Sequence, residues 1–310
     1  MKNIPLLWLT ILCCWVFSSP VWSAQQTSPQ VVVSIKPIHS LVSAVMQGVG
    51  VPQLLIKGGS PHGYVLRPSE ARALARADLI IWIGHQLESF LEKPLMTLGQ
   101  NARQLQLIEV LRPQLLPVRE QGSWDRHKDD DHEQKHAKGG EVNPHLWLNP
   151  LLAKQVVAQA AVALAEIDPA HQQQYQENAK QLGVRLDRLH VRLKAQLAPV
   201  KDVPYVVFHD AYQYFETAYG LNAIGSISID PERQPGVKRI REIRRKITSL
   251  NARCVFSEPQ FKPRLLATLI EGTGAGTGIL DPLGADLAAG PESYFLLMNR
   301  LVEDLLRGLE

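Results

Sequence analysis

Short runs of aliphatic and β-branched residues alternate along the chain with segments in which apolar residues recur every three or four positions. Runs of the first kind, such as residues 31–35 and 78–84, are typical of strands buried on both faces of a parallel sheet. The neighbouring segments 38–46 and 68–77 have the apolar spacing and composition of helices. This alternation predicts an α/β fold with mainly parallel sheets flanked by helices.

The longest periodic segment lies in the middle of the chain, between residues 168 and 199. It opens on Asp168-Pro169, a helix start signal, and Pro199 stops it. A helix of roughly 28 residues extends about 40 Å, longer than one small domain is wide. Because the strand-and-helix alternation starts again after it, we predict two α/β lobes joined by one long rigid helix, with a cleft between the lobes. The apolar positions of this helix are Tyr175, Ala179, Leu182, Leu186, Leu189, Leu193 and Leu197.

The N-terminus has the features of a secretory signal. Lys2 precedes an apolar run over residues 4–17, and Ser18, Ser19 and Pro20 and then the small residues Ser23 and Ala24 follow, which is the order found in a cleaved signal peptide. The run is shorter than the roughly 20 residues that a membrane-spanning helix needs. The sequence therefore predicts a signal peptide at 1–24, an N-terminal lobe at 25–167, a connecting helix at 168–199 and a C-terminal lobe at 200–310.

Composition narrows the class of protein. The 310 residues are 45% hydrophobic and 20% charged, which is typical of a globular chain with two cores. A net charge of +3 is too small to indicate a nucleic-acid partner. We also expect the protein to be a monomer. Cys13 and Cys14 fall in the predicted signal peptide, so Cys254 alone remains in the mature chain and an intramolecular disulfide is excluded.

One stretch of the chain is unlike the rest, a loop at residues 124–141 that is dense in aspartate, lysine and histidine. Such a composition cannot bury a core, and we expect the loop to lack fixed structure. Histidine-rich tracts bind metal by composition, and mixed Asp and His ligands suit zinc or copper. The loop histidines could therefore hold metal weakly, or the loop could be a solvated insertion without a role. They are His127, His132 and His136.

Three other histidines share a different setting. His62, His145 and His209 each lie at the end of a short predicted strand, in segments rich in Gly, Pro or Asp. If the two lobes face each other, these imidazoles can converge on one ion, and Asp281 could complete a tetrahedron. Asp281 belongs to a predicted strand at 279–284. For each histidine alone, a hydrogen-bonded loop residue is the competing interpretation.

Several segments together resemble the ZnuA family, the periplasmic zinc-binding receptors of high-affinity zinc ABC importers within the wider cluster A-I metal-binding receptors. They are HGYVLRPSEARALARADLIIWIG, NPHLWLNP, VVFHDAYQYFE, PERQPG, CVFSEPQF and LDPLG, and they span nearly the whole predicted mature chain. The resemblance implies a periplasmic receptor, not an enzyme, which carries Zn²⁺ between two lobes and delivers it to a membrane permease. It places the ligands at His62, His145 and His209. Because Pro61 precedes His62 where some relatives have an acidic residue, it leaves Asp281 or water as the fourth ligand.

Two other classes of function stay open at this point. A secreted zinc hydrolase also needs three protein ligands and an open fourth position, and Glu258 could serve as its base, although no HExxH-like unit is present. A manganese-binding receptor or adhesin of the same family is the second alternative. The sequence lacks the small-residue-then-cysteine site that is typical of a lipid-anchored adhesin.

Overall fold

The computed structural model describes residues 28–119, 140–228, 235–259 and 264–310. The predicted signal peptide lies outside these residues. So does almost all of the loop predicted at 124–141, including His127, His132 and His136.

The described chain forms two four-stranded parallel sheets, one in each half. The first has the order β2-β1-β3-β4 and the second the order β6-β5-β7-β8, so the two sheets share one topology. The predicted fold class, two lobes with parallel sheets flanked by helices, is confirmed. The strands are β1 (Val31–Val33), β2 (Gln53–Leu54), β3 (Leu79–Trp82), β4 (Arg103–Gln106), β5 (Tyr205–His209), β6 (Ala223–Ser228), β7 (Cys254–Ser257) and β8 (Gly276–Ile279).

The strand order fixes where a ligand can bind. In each sheet the chain reverses direction of winding between its first and third strands, β1 and β3 or β5 and β7. Open parallel sheets bind ligands at the carboxyl ends of the strands on either side of such a switch point. In the second sheet those ends are His209 and the residues just after Ser257.

In the part of the chain that the structure describes, ten α-helices flank the sheets, among them α5. It is long and apolar enough to cross a membrane by length and composition alone, but half of it is buried inside the protein, as in the core helix of a folded domain. It packs against α1 and α6. The helices are α1 (Lys36–Val45), α2 (Pro68–Arg76), α3 (Glu92–Thr97), α4 (Leu107–Leu111), α5 (Pro150–Ile167), α6 (Gln172–Leu197), α7 (Gln213–Tyr219), α8 (Val237–Ser249), α9 (Arg264–Ile270) and α10 (Ser293–Leu309).

The predicted long helix is α6, and it carries a single turn of 3-10 helix at each end. Its stripe of leucines, from Leu182 to Leu197, is buried, which is why a helix of this length is stable. The C-terminal helix α10 lies against both α6 and α1, and the backbone N–H of Tyr294 donates to Ser40 Oγ at 2.9 Å. The lobe boundaries predicted at residues 167 and 199 stay predictions.

Two predicted local structures are wrong. The apolar run predicted as a strand after His145 is a 3-10 helix, Leu146–Leu148, which leads directly into α5 through its N-cap residue Asn149. The strand predicted at 279–284 lies earlier in the chain, at β8. Gly278 is suited to β8 because a Cβ there would lie 2.5 Å from the Phe256 ring of the adjacent strand.

Candidate metal centre

The side chain of His209 is held in place by a buried carboxylate. It is the last residue of β5 and is buried. Its Nδ1 donates to Glu258 Oε1 at 2.6 Å, and Glu258, just after β7, is only 3% exposed. A carboxylate at Nδ1 fixes the proton there, so the Nε2 lone pair is available to a metal ion.

Asn143 holds His145 in a similar way. Its side-chain oxygen accepts from the His145 backbone N–H at 3.0 Å and from Nδ1 at 2.8 Å. The Asn143 amide nitrogen donates to the Asp210 carbonyl at 2.9 Å and to Gln213 Oε1 at 3.0 Å. Asn143 therefore fixes the tautomer of His145 and ties its segment to the C-terminal lobe. An Asn two residues before a His is a turn signal that sequence analysis could have used.

His62 reaches the same point from the loop after β2. The prediction that His62 lies at the end of a strand is wrong, because β2 stops at Leu54. The loop is held by a turn in which the His62 backbone N–H donates to Ser60 Oγ at 3.3 Å. The His62 side chain is half-buried, whereas His145 and His209 are buried. The most accessible of the three histidines thus belongs to the loop.

The three imidazoles converge. The Nε2 of His145 lies 3.4 Å from that of His62 and 3.3 Å from that of His209. A tetrahedral zinc ion with Zn–N bonds of about 2.0–2.1 Å separates its donors by about 3.3–3.4 Å. Because Nδ1 carries the proton in His145 and His209, their Nε2 atoms face each other as lone pairs, an arrangement that a cation stabilises. Within the described part of the chain, the ligand atoms that gather in this way, all within 4.8 Å, belong to these three residues.

Burial keeps the imidazoles of His62 and His145 neutral. It lowers the pKa of His62 to about 3, with His209 as the second cause, and it lowers the pKa of His145 well below its usual value. Metal binding needs neutral imidazole, so protons compete at these two residues only in strongly acidic solution. Because the folded-state pKa of His62 is below the unfolded value, its contribution to stability is present above about pH 6.5 and is lost as the pH falls.

The space beside the imidazoles is small. The cavity has a volume of ≈ 10 Å³, room for about one ion or water molecule. Trp147, Pro282 and Leu283 also line it. The space beside the three imidazoles therefore suits a single ion.

Asp281 is close in the chain to this wall, but the structure does not bring it into the three-histidine group. Its Oδ1 accepts from the backbone N–H groups of Leu283 and Gly284, each at 3.0 Å, and its Oδ2 from Ala285 at 2.5 Å. The carboxylate thus caps its own loop.

Three further histidines of the described chain lie outside the three-histidine group. His39 is buried in α1 and its Nε2 is 2.9 Å from the Pro52 carbonyl. His171 pairs with Asp168, and His190 stacks on Tyr219. Each has a structural role away from the group.

Most of the chain is similar to known proteins. The family described as "Zinc-uptake complex component A periplasmic" matches residues 31–308. A High-affinity zinc uptake system protein ZnuA from Brucella abortus (strain 2308) is 45% identical over 300 residues, which cover 89% of this chain and 90% of that protein. A protein of the same name from Yersinia pestis is 35% identical over 291 residues, covering 88% of this chain and 89% of that protein.

Solved structures share the fold. A structure described as "Crystal structure of ZnuA" matches with a TM-score of 0.75 and 24% identity, covering 91% of this chain and 100% of that chain. A mutant structure of the laminin-binding adhesin (Lmb) from Streptococcus agalactiae matches with a TM-score of 0.76 and 23% identity, with the same coverage of 91% and 100%. At these identities the likeness extends to the fold.

Proposed function

Because the chain belongs to the ZnuA family of zinc-uptake components, we propose that it captures Zn²⁺ between its two lobes and delivers it to the permease of an ABC transporter. The observation that carries the proposal is the 3.3–3.4 Å spacing of the Nε2 atoms, which fits tetrahedral zinc. The family description and the predicted signal peptide support a periplasmic location.

The proposed ligands are the Nε2 atoms of His62, His145 and His209. The fourth position is either water or Asp281, and the contacts favour water, since three backbone N–H groups already bind the Asp281 carboxylate. Three imidazole nitrogens suit zinc, whereas manganese prefers carboxylate and water oxygens. Zinc is thus the cargo that the donor set favours over manganese.

Receptor function fits the site better than hydrolysis. The proposed base of a hydrolase, Glu258, is bound to His209 and serves to orient it. The cavity beside the three nitrogens, ≈ 10 Å³ in volume, suits about one ion or water molecule. We therefore propose a binding protein without zinc-dependent turnover.

Uptake of radioactive zinc by cells lacking this gene tests the proposal. Restoring the wild-type chain should restore uptake at low zinc, because the receptor supplies the permease. A chain with His62→Ala, His145→Ala and His209→Ala should not restore it. A control chain with His85→Ala and His171→Ala, both outside the group, should behave as wild type. Failure of the secreted wild-type chain to restore uptake contradicts the proposal.

Deleting residues 124–140 is expected to leave one tight zinc site. The reason is that the three proposed ligands all lie outside the deleted segment, in the rigid part of the fold. Titration calorimetry of wild-type and shortened protein measures the stoichiometry and the affinity of that site. Loss of the tight site would show that His127, His132 or His136 is required for it.

A further inference from the structure

The loop that follows β8 lines the metal cavity and is held from several directions. Its first carbonyl, that of Leu280, accepts from the Tyr212 hydroxyl at 3.0 Å. The carbonyl of Pro282 accepts from Trp147 Nε1 at 2.8 Å, and Trp147 is two residues from the proposed ligand His145. The loop is therefore fixed in place beside the ion rather than free to move onto it.

Lys36, at the start of α1 in the N-terminal lobe, makes three of the hydrogen bonds that hold this loop. Its Nζ donates to the carbonyls of Gly284 at 2.6 Å, Ala285 at 2.8 Å and Leu287 at 2.8 Å. An ammonium group has three N–H donors, so this loop takes all of them. The bonds join residues 248 or more positions apart in the chain and connect the two lobes.

The same loop carries Asp281, whose carboxylate binds backbone N–H groups of that loop. While Lys36 binds the loop carbonyls, Asp281 accepts the N–H groups of the same turn. The positive charge of Lys36 also acts on Asp281. To coordinate an ion, the carboxylate would have to give up these N–H bonds and the turn would have to rearrange, which the three Lys36 bonds oppose.

We propose that Lys36 determines metal specificity by holding the Asp281 loop so that its carboxylate is withheld from the three-histidine site. This rests on the proposed function. A site of three nitrogens and an open position favours zinc, and adding a carboxylate oxygen improves it for manganese. Lys36 thus keeps manganese binding weak without touching the ion.

The test compares Zn²⁺ and Mn²⁺ dissociation constants of wild-type and Lys36→Met protein, each measured by competition with a chelator of known affinity. Lys36→Met is expected to lower the ratio of the manganese to the zinc dissociation constant by about tenfold. The double variant Lys36→Met with Asp281→Asn should return the ratio to the wild-type value within about threefold. Lys154→Met, which removes a lysine paired with Asp187 between α5 and α6, is the matched control and should leave the ratio unchanged.

Three results would overturn the proposal. The ratio could stay unchanged in folded Lys36→Met protein. Both metals could gain affinity equally, which is the effect of removing one positive charge. The fall could also persist in the double variant. If Lys36→Met does not fold, Lys36→Gln should give a smaller change in the same direction. If neither variant folds, a tenfold loss of Mn²⁺ affinity in Asp281→Asn protein would show that the carboxylate is not withheld.

These outcomes are separate from failure of the proposed function. If the wild-type chain binds no zinc with one-to-one stoichiometry, the receptor assignment itself fails. If it binds zinc in this way and only the ratio is insensitive to Lys36, the receptor assignment stands and the role of Lys36 does not.

Discussion

Replacing all three proposed ligands by His62→Ala, His145→Ala and His209→Ala is expected to weaken zinc binding by at least about a thousandfold, or about 4.1 kcal/mol. The Nε2 atoms of these residues are the donors that the structure brings within 4.8 Å of one another, and without them no described group of donors can replace the site. Titration calorimetry on the metal-free variant measures the loss.

Folding has to be controlled in that experiment. His145 and His209 are buried, so alanine removes the imidazole that Asn143 Oδ1 and Glu258 each bind, and the loss of these buried hydrogen bonds is itself destabilising. Circular dichroism should show that the variant is folded. His209→Gln, which can still bond to Glu258, provides a milder comparison in which one ligand nitrogen is lost. A single tight zinc site in the folded triple variant would show that the ligands are elsewhere.

Arg119→Met is expected to lower the free energy of unfolding by about 3–5 kcal/mol, because it leaves buried carboxylates without their cation. Arg119 Nη1 lies 3.1 Å from Asp210 Oδ1, and Arg119 Nη2 lies 2.8 Å from Glu216 Oε2. The side chains of Asp210 and Glu216 are 12% and 4% exposed. Asp210 adjoins the proposed ligand His209. The ion pair thus stabilises the wall of the C-terminal lobe that carries a metal ligand.

The loss in Arg119→Met should depend on pH. Burial raises the pKa of Asp210 to about 7, and Arg119 acts in the opposite direction. A carboxyl with a raised folded-state pKa contributes stability below its unfolded pKa of about 3.9 and loses it as the pH rises through 7. Without Arg119 the pKa rises further. The variant should therefore lose more stability at pH 8 than at pH 5, where the carboxyl can take up a proton.

Urea unfolding of the metal-free proteins at these two pH values measures both effects. Arg103→Met is the matched control, since the Arg103 pair with Glu166, at 2.9 Å, is 43% and 49% exposed. A pair of that kind contributes about 0–1 kcal/mol. Equal losses in the two variants would mean that the Arg119 cluster is solvated and has no special role in the lobe.

The sequence predicts a helix or strand correctly where the apolar pattern of that one segment is sufficient to identify it. The leucine stripe of α6 identifies the long helix, because its period is visible within the segment itself. The apolar run Tyr205–Phe208 likewise identifies β5 and places His209 at its end. The prediction is wrong for β8, where the strand depends on Phe256 of the adjacent strand covering Gly278. Such a contact is not visible in the local pattern.

The same contrast between local and tertiary information applies to the metal site. His62, His145 and His209 can be proposed from their positions in the chain and from the family resemblance. The groups that orient them cannot, because the partners meet only after folding. In the sequence Glu258 is a candidate only for a hydrolytic base, yet in the structure it binds His209 Nδ1. The sequence gives no sign of the role of Lys36, since the carbonyls that it binds belong to the opposite end of the chain.

X-ray diffraction from crystals grown with zinc, recorded on both sides of the zinc absorption edge, tests the central claim most directly. The account predicts one strong anomalous peak within bonding distance of the Nε2 atoms of His62, His145 and His209, with Glu258 still bound to His209 Nδ1. A dominant peak on other side chains, or a zinc ion that leaves any of these three nitrogens unbound, would contradict it.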